Sequence, residues 1–160
     1  MYPLGGCTGR KLDIAILGDI SKSLDRDDLT KFRRVIIAMI NSVGVSSAGN
    51  HFGLITFGDK ASRYNLFKSV KYQKGYNLRK LVRDKIKTIA KKIGTRTDLA
   101  LRLAANQLFV PDNGDRKEAD NLLFLFTDGK SFDSNKKGPI YTNKDLFKNL
   151  RDRLEVSEFS

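Results

Sequence analysis

The sequence predicts an α/β fold: a doubly wound, mostly parallel sheet with helices on both faces and one antiparallel edge strand. Three observations carry the prediction. Near-continuous apolar runs at Leu12–Leu17, His51–Phe57 and Asn121–Phe126 have the length and composition of strands buried on both faces. Stretches with three- and four-residue apolar spacing separate them, as crossovers between parallel strands require. Two of the runs lead into an aspartate, Asp19 and Asp128, at the carboxyl end where open parallel sheets hold their ligands.

The first run continues as LDIAILGDISKSL. Past Gly18 it sets Asp19, Ser21 and Ser23 at alternate positions, which point the same way in an extended segment. Next comes an amphipathic helix over 25–43, with Leu29, Phe32, Ile36, Met39, Ile40 and Val43 inward. Asp25, Asp27 and Asp28 suit the positive end of its dipole, and Gly44 ends it. Residues 46–50 form a loop, 51–57 a buried strand and Gly58-Asp59 a turn. Residues 61–70 are mixed in pattern; the short gap predicts a hairpin and hence an antiparallel edge strand. His51 has no nucleophile or cysteine near it in sequence and reads as structural.

A second helix is predicted over 77–93, with Leu78, Leu81, Val82, Ile86, Ile89 and Ile93 as its inner stripe. Its other face carries Arg79, Lys80, Arg83, Lys85, Lys87, Lys91 and Lys92. Of these, Arg79, Lys80, Arg83, Lys87 and Lys91 are the candidate anion-binding residues. No aromatic residue is interleaved with these charges, so backbone electrostatics is favoured over base stacking. After Gly94-Thr95-Arg96-Thr97-Asp98 comes a third helix over 99–109, with Thr95 or Thr97 as a candidate cap. Residues 111–117 form a polar loop, 121–126 the third buried strand, 131–143 another polar loop and 143–154 a last helix.

The chain has 160 residues with 40% hydrophobic content, which suits one globular domain with a substantial core. No apolar run approaches the roughly 20 residues of a membrane span, so no membrane insertion is expected. The start, MYPLGGCTGR, has no signal-peptide pattern. The chain is therefore either intracellular or a fragment or processed form of a secreted protein. The one cysteine, Cys7, cannot form an internal disulfide, and with one histidine it offers no zinc site. Thirty basic against eighteen acidic residues give +12, which implies attraction to anionic partners or simply a basic exterior.

Asp19, Ser21 and Ser23 supply oxygen donors and no soft ligand. They favour a hard cation, magnesium before manganese or calcium. The alternative is a polar loop in which Ser21 or Ser23 caps the next helix. Parallel neighbours at 12–17 and 121–126 would bring Asp19 and Asp128 within reach of one ion, with Thr95 on the same rim.

Together, Asp19-x-Ser21-x-Ser23, Gly94-Thr95-x-Thr97 and Thr127-Asp128-Gly129 resemble the von Willebrand factor type A domain and its metal-ion-dependent adhesion site. Order, spacing and strand contexts agree from Leu12 onward, most closely with extracellular matrix-type members. The resemblance implies a Rossmann-like fold with a lead-in at 1–11, the domain at 12–156 and a tail at 157–160. It implies a metal site of Asp19, Ser21, Ser23, Thr95 and Asp128: the hydroxyls of Ser21 and Ser23 as ligands, Thr95 approaching in the ligand-bound form, and the two carboxylates acting at least partly through water. Thr97 is a neighbour. A partner's glutamate or aspartate fills an open coordination position. The chain departs from the family at Gly18, where a larger residue is usual, and at Lys22 between the serines. It departs also in length: the last two strands with their helices, and the cysteine that usually pairs with the one at Cys7, are expected to be missing, as in a truncated isoform or partial sequence.

The expected function is therefore a non-enzymatic, secreted, metal-dependent protein-binding module of adhesion or matrix type. The alternative is an electrostatic binder of anionic glycans, mineral or nucleic acid through residues 79–92. An enzyme is disfavoured: the one histidine is far in sequence from the serines, and both G-x-x-x-x-G-K and G-x-G-x-x-G are absent.

Overall fold

The computed structural model describes residues 10–129 and 131–133. Its central strand is β1 (Lys11–Asp19). On one side lies β2 (His51–Phe57), parallel, with Asp13 opposite His51 and Asp19 opposite Phe57. On the other lies β5 (Ala119–Phe126), also parallel, with Gly18 opposite Phe126. A three-residue strand, β3 (Ala61–Arg63), pairs antiparallel with β2 and gives the order β3-β2-β1-β5. A separate ladder joins β4 (Gly94–Thr95) to β6 (Phe132–Asp133), antiparallel.

The alternation of side chains along β1 and β2 builds two cores. Ile14, Ile16, Phe52 and Leu54 face α1 (Arg26–Val43) and α2 (Gly75–Lys85), meeting Leu29, Ile36, Ile40, Leu78, Leu81 and Val82. Ala15, Leu17, Ile55 and Phe57 face α3 (Thr97–Leu103) and the wider turn that follows it, meeting Ala100, Leu101, Ala104 and Leu108. With both faces covered, an unbroken apolar run is the pattern β1 needs.

Asp25 starts α1 with a capping box: its carboxylate accepts from the Asp28 N–H at 2.8 Å, and Asp28 accepts from the Asp25 N–H at 3.2 Å. That second bond holds the Asp28 carboxyl below its ordinary value. Neither Ser21 nor Ser23 caps the helix. Gly44 ends it at φ +76°, beyond the reach of most side chains.

Four expectations are corrected. The second helix stops at Lys85, not at residue 93. Ile86 leaves helical geometry at φ −105°, ψ 55°, and Arg33 Nη1 donates to its carbonyl at 2.6 Å. Ile86 is fully buried and packs over Gly18: a Cβ there would stand 3.0 Å from Ile86 Cδ1. The helix thus ends where its side chain fills the space that the glycine leaves. Lys87, Lys91 and Lys92 consequently lie beyond the helix, and Ile93 is exposed instead of lining an inner stripe.

The third helix starts earlier, at Thr97, and opens into a π turn over Ala104–Leu108, where the Phe109 N–H reaches the Ala104 carbonyl at 2.9 Å. This widening seats Leu108 and Phe109 in the core, with the Phe109 ring 5.5 Å from that of Phe67. The helix is not capped by a threonine. Arg96 precedes it, and Thr97 Oγ1 is buried without a hydrogen-bond partner among the described residues. Finally, β5 is only half-buried, with Phe124 and Leu125 about two-fifths exposed. It stands at the edge of the described sheet, so consecutive side chains on both faces lose cover.

At the amino end of β1, Asp13 is fully buried. Arg116 binds it with backbone N, Nε and Nη2 at 2.8, 3.1 and 2.8 Å. His51 lies beside it, Nδ1 to Asp13 Oδ1 3.9 Å, with Nε2 3.1 Å from the Ser47 carbonyl. His51 is therefore part of this structural cluster, at the end of the sheet opposite Asp19. Cys7 and the helix expected over 143–154 lie outside the described residues. No described helix is long and apolar enough to cross a membrane.

Two stability predictions follow from these contacts. Asp25→Ala removes the α1 cap and lowers unfolding free energy by about 1 kcal/mol, read as a shift in urea midpoint at constant slope. Asp98, in the first turn of α3, is clamped by Arg96 through two 2.8 Å bonds, and the guanidinium lowers its pKa from 3.8. A depressed carboxyl contributes stability above its unfolded pKa and loses it as pH falls through the folded one. The stability gap between the parent and Asp98→Asn is thus full at neutral pH and closes as pH drops below 3.8; chemical denaturation at a series of pH values reads it.

Candidate metal centre

The carboxyl end of β1 delivers Asp19 fully buried. A buried carboxylate must find donors, and both its oxygens have them. Oδ1 accepts from the Ser21 N–H at 2.7 Å, and Oδ2 accepts from the Thr127 hydroxyl at 2.7 Å. The first bond curls residues 19–21 into a tight turn. The second ties the segment after β5 to the last residue of β1.

That turn aligns the hydroxyls. Ser21 Oγ and Ser23 Oγ are 2.9 Å apart, and Ser23 Oγ donates to Asp128 Oδ1 at 3.1 Å. Two hydroxyls and one carboxylate from the segments that follow two parallel strands form a continuous line of oxygens, open to solvent at Ser23 and Asp128. Thr95 completes the rim. It lines one cleft of ≈ 300 Å³ together with Lys22, Ser23, Ile93, Gly94, Asp128 and Gly129. Gly94 has φ +151° and lies against the Asp59 backbone, where a Cβ would approach Asp59 Cα to 3.0 Å. Only glycine fits this turn without strain. Arg96 N–H donates to the Gly58 carbonyl at 2.7 Å and the Ser131 hydroxyl to the Thr95 carbonyl at 3.1 Å, which fix the Thr95 loop from both sides.

The structure therefore gathers all five sequence-predicted metal residues at one end of the sheet. Ser21, Ser23 and Asp128 are linked directly, Thr95 faces the shared cleft, and Asp19 stands behind them with both oxygens engaged. This donor set suits a divalent cation bound through oxygen. No three His, Cys, Asp or Glu side chains cluster among the described residues, so a site here depends on the serine and threonine hydroxyls. Sequence reasoning left two supporting groups without a role: Thr127, whose hydroxyl orients Asp19, and Ser131, which braces Thr95. The hydroxyl directly before Asp128 was the legible signal for the first.

The candidate anion-binding residues are not gathered in this way. Arg79, Lys80 and Arg83 lie on α2, whereas Lys87 and Lys91 follow it. Lys80 is paired with Asp84 at 2.8 Å, an exposed pair that raises its pKa, and Arg79 Nη1 donates to Asn41 Oδ1 at 3.1 Å.

The family model of the von Willebrand factor type A domain matches residues 13–155. Among solved structures, proximal thread matrix protein 1 from the mussel byssus is similar over 91% of this chain and 36% of its own, with TM-score 0.75 and 16% identity. A second structure of that protein, described with a zinc-occupied MIDAS motif, gives 0.73 with the same coverage and identity. A third gives 0.67 at 19% identity over 78% of this chain and 30% of its own. The present chain thus spans about a third of the length of these structures, and at such identity the likeness establishes the fold. The family match over most of the sequence, on a mostly parallel sheet with one antiparallel edge strand, places this chain in the von Willebrand factor type A domain family.

Proposed function

We propose that this chain is a non-enzymatic, metal-dependent protein-binding module of adhesion or matrix type, acting outside the cell. The observation that carries the reading is the line of oxygens Ser21–Ser23–Asp128, which runs from buried Ser21 to Ser23 and Asp128 in the wall of a solvent-open cleft. Ser21, Ser23 and Asp128 would hold the ion, with Thr95 at hand and Asp19 acting from behind. A divalent cation bound there supplies an electrophilic point for a partner's glutamate or aspartate. Of the residues that would touch the ion only Asp128 is charged, the serine hydroxyls being neutral, so the ion keeps attraction for a further carboxylate. Asp19 orients: its hold on the Ser21 N–H and the Thr127 hydroxyl fixes the turn that presents both serines. Hard oxygen donors favour magnesium, with manganese or calcium as alternatives; the zinc-occupied motif of the mussel protein supports divalent binding in a similar fold.

Among the described residues no histidine stands near the serines to act as a base. His51 belongs to the Asp13–Arg116 cluster, six residues back along the β1–β2 register, about 20 Å away at strand rise. A second reading, anion binding, is favoured by one feature: a cleft of ≈ 240 Å³ on α2 lined by Lys71, Tyr72, Asn77, Lys80, Leu81, Asp84 and Lys85. Moderate salt abolishes that kind of binding and a chelator does not.

Thermal unfolding of the chain with chelator, and then with excess magnesium or manganese, tests the metal reading. An ion bound only by the folded state raises the midpoint by several degrees at about a hundredfold excess over Kd. Ser23→Ala and Asp128→Ala, both at exposed positions, keep a cooperative transition and lose the response. A midpoint indifferent to every divalent ion would remove the reading.

A further inference from the structure

The cleft is not lined by oxygen alone. Ile93 and Lys22 share its wall with Ser23, Thr95 and Asp128. Ile93 is 59% exposed. Scattered exposed apolar side chains are ordinary on a protein surface, but this one stands in a concave site beside a carboxylate and an ammonium group. The fold keeps it there. Helix α2 ends at Lys85, the Ala90 N–H donates to the Ile20 carbonyl at 2.7 Å, and Gly94 turns at φ +151° against Asp59. These contacts fasten the chain on both sides of Ile93 and hold its side chain outside the core. Lys22 is exposed, as are Lys91 and Lys92 immediately before Ile93, and none of the three has an ion pair or hydrogen bond with a described residue. The mouth of the cleft thus combines oxygen donors, an apolar wall and the Lys22 ammonium, which is unpaired among the described residues, on a chain of net charge +12.

We propose that Ile93 and Lys22 read the residues flanking the partner's carboxylate. The partner is then an acidic protein segment in which an apolar side chain adjoins the carboxylate that enters the cleft. This inference rests on the protein-binding reading above. A carboxylate at the oxygen cluster gains nothing from Ile93, whereas an adjoining leucine-sized side chain removes that exposed surface from water. Further carboxylates face Lys22, Lys91 and Lys92, which adds attraction and register more than tight contact. An anionic glycan would use the lysines and leave Ile93 uncovered.

The test uses the full 160-residue chain and three short glycine-flanked peptides: Asp-Leu-Glu-Asp, Asp-Ser-Glu-Asp and Asn-Leu-Glu-Asn. Binding is measured by fluorescence anisotropy in magnesium and in chelator, for the parent, Ile93→Ser and Lys22→Gln. Exchanging the peptide leucine for serine weakens binding to the parent on the order of tenfold. Ile93→Ser costs the same factor with the leucine peptide and nothing further with the serine peptide. Lys22→Gln weakens the two aspartate peptides roughly threefold, leaves the asparagine peptide unchanged and flattens the salt dependence. Losses from Ile93 and from the leucine that simply multiply would overturn the inference, as would the absence of binding by any peptide to a chain that still unfolds cooperatively. Metal-dependent binding without the Ile93–leucine coupling removes this inference and leaves the metal reading; coupling that persists unchanged in chelator does the reverse.

Discussion

The burial of one carboxylate organises this end of the molecule. β1 lies between two parallel neighbours with helices over both faces, so whatever follows its last apolar residue emerges from a dry interior. Asp19 emerges there with no exposed surface, and a charge so placed persists only if its oxygens are satisfied. The Ser21 N–H and the Thr127 hydroxyl satisfy them. In doing so they fold the chain after β1 into a turn and bind the chain after β5 to it. The line from Ser21 through Ser23 to Asp128 follows from that constraint.

Ile86 links this constraint to the rest of the fold. It is buried over Gly18, one residue before Asp19, and α2 ends at that point with Arg33 of α1 bound to its carbonyl. The segment from Lys87 to Ile93 is thereby freed from the helix and carried across to the cleft, where it joins Gly94 and Thr95. The glycine at position 18 and the early end of α2 are two sides of one packing solution. The same solution moves Lys91 and Lys92 from an expected helical face to the exposed stretch that precedes Ile93.

Much of this was legible in the residues. The apolar runs at 12–17 and 51–57 and the aspartates that follow the runs at 12–17 and 121–126 were enough to place the strands, their parallel sense and a shared rim. Three- and four-residue spacing placed α1 to within a residue, and its acidic first turn proved to be a capping box. The second helix was misread because Ile86, Ile89 and Ile93 continue the spacing of Leu78, Leu81 and Val82; periodicity records where apolar residues fall, not whether the backbone stays helical between them. The π turn after α3 was invisible for the same reason. The supporting role of Thr127 went unread because a hydroxyl beside an aspartate has many uses in sequence.

What the sequence by itself determined was the fold class and the set of oxygen-bearing residues, because a strand buried on both faces and a loop of alternating polar residues each leave a local pattern. What only the tertiary structure decided was which of those oxygens touch, where α2 stops, and what stands around the cleft. Those depend on contacts between residues far apart in the chain: Thr127 with Asp19, Ser23 with Asp128, Ile86 with Gly18, Arg96 with Gly58. Such contacts are fixed by strand order and side-chain volume, and neither is written in any single stretch of residues.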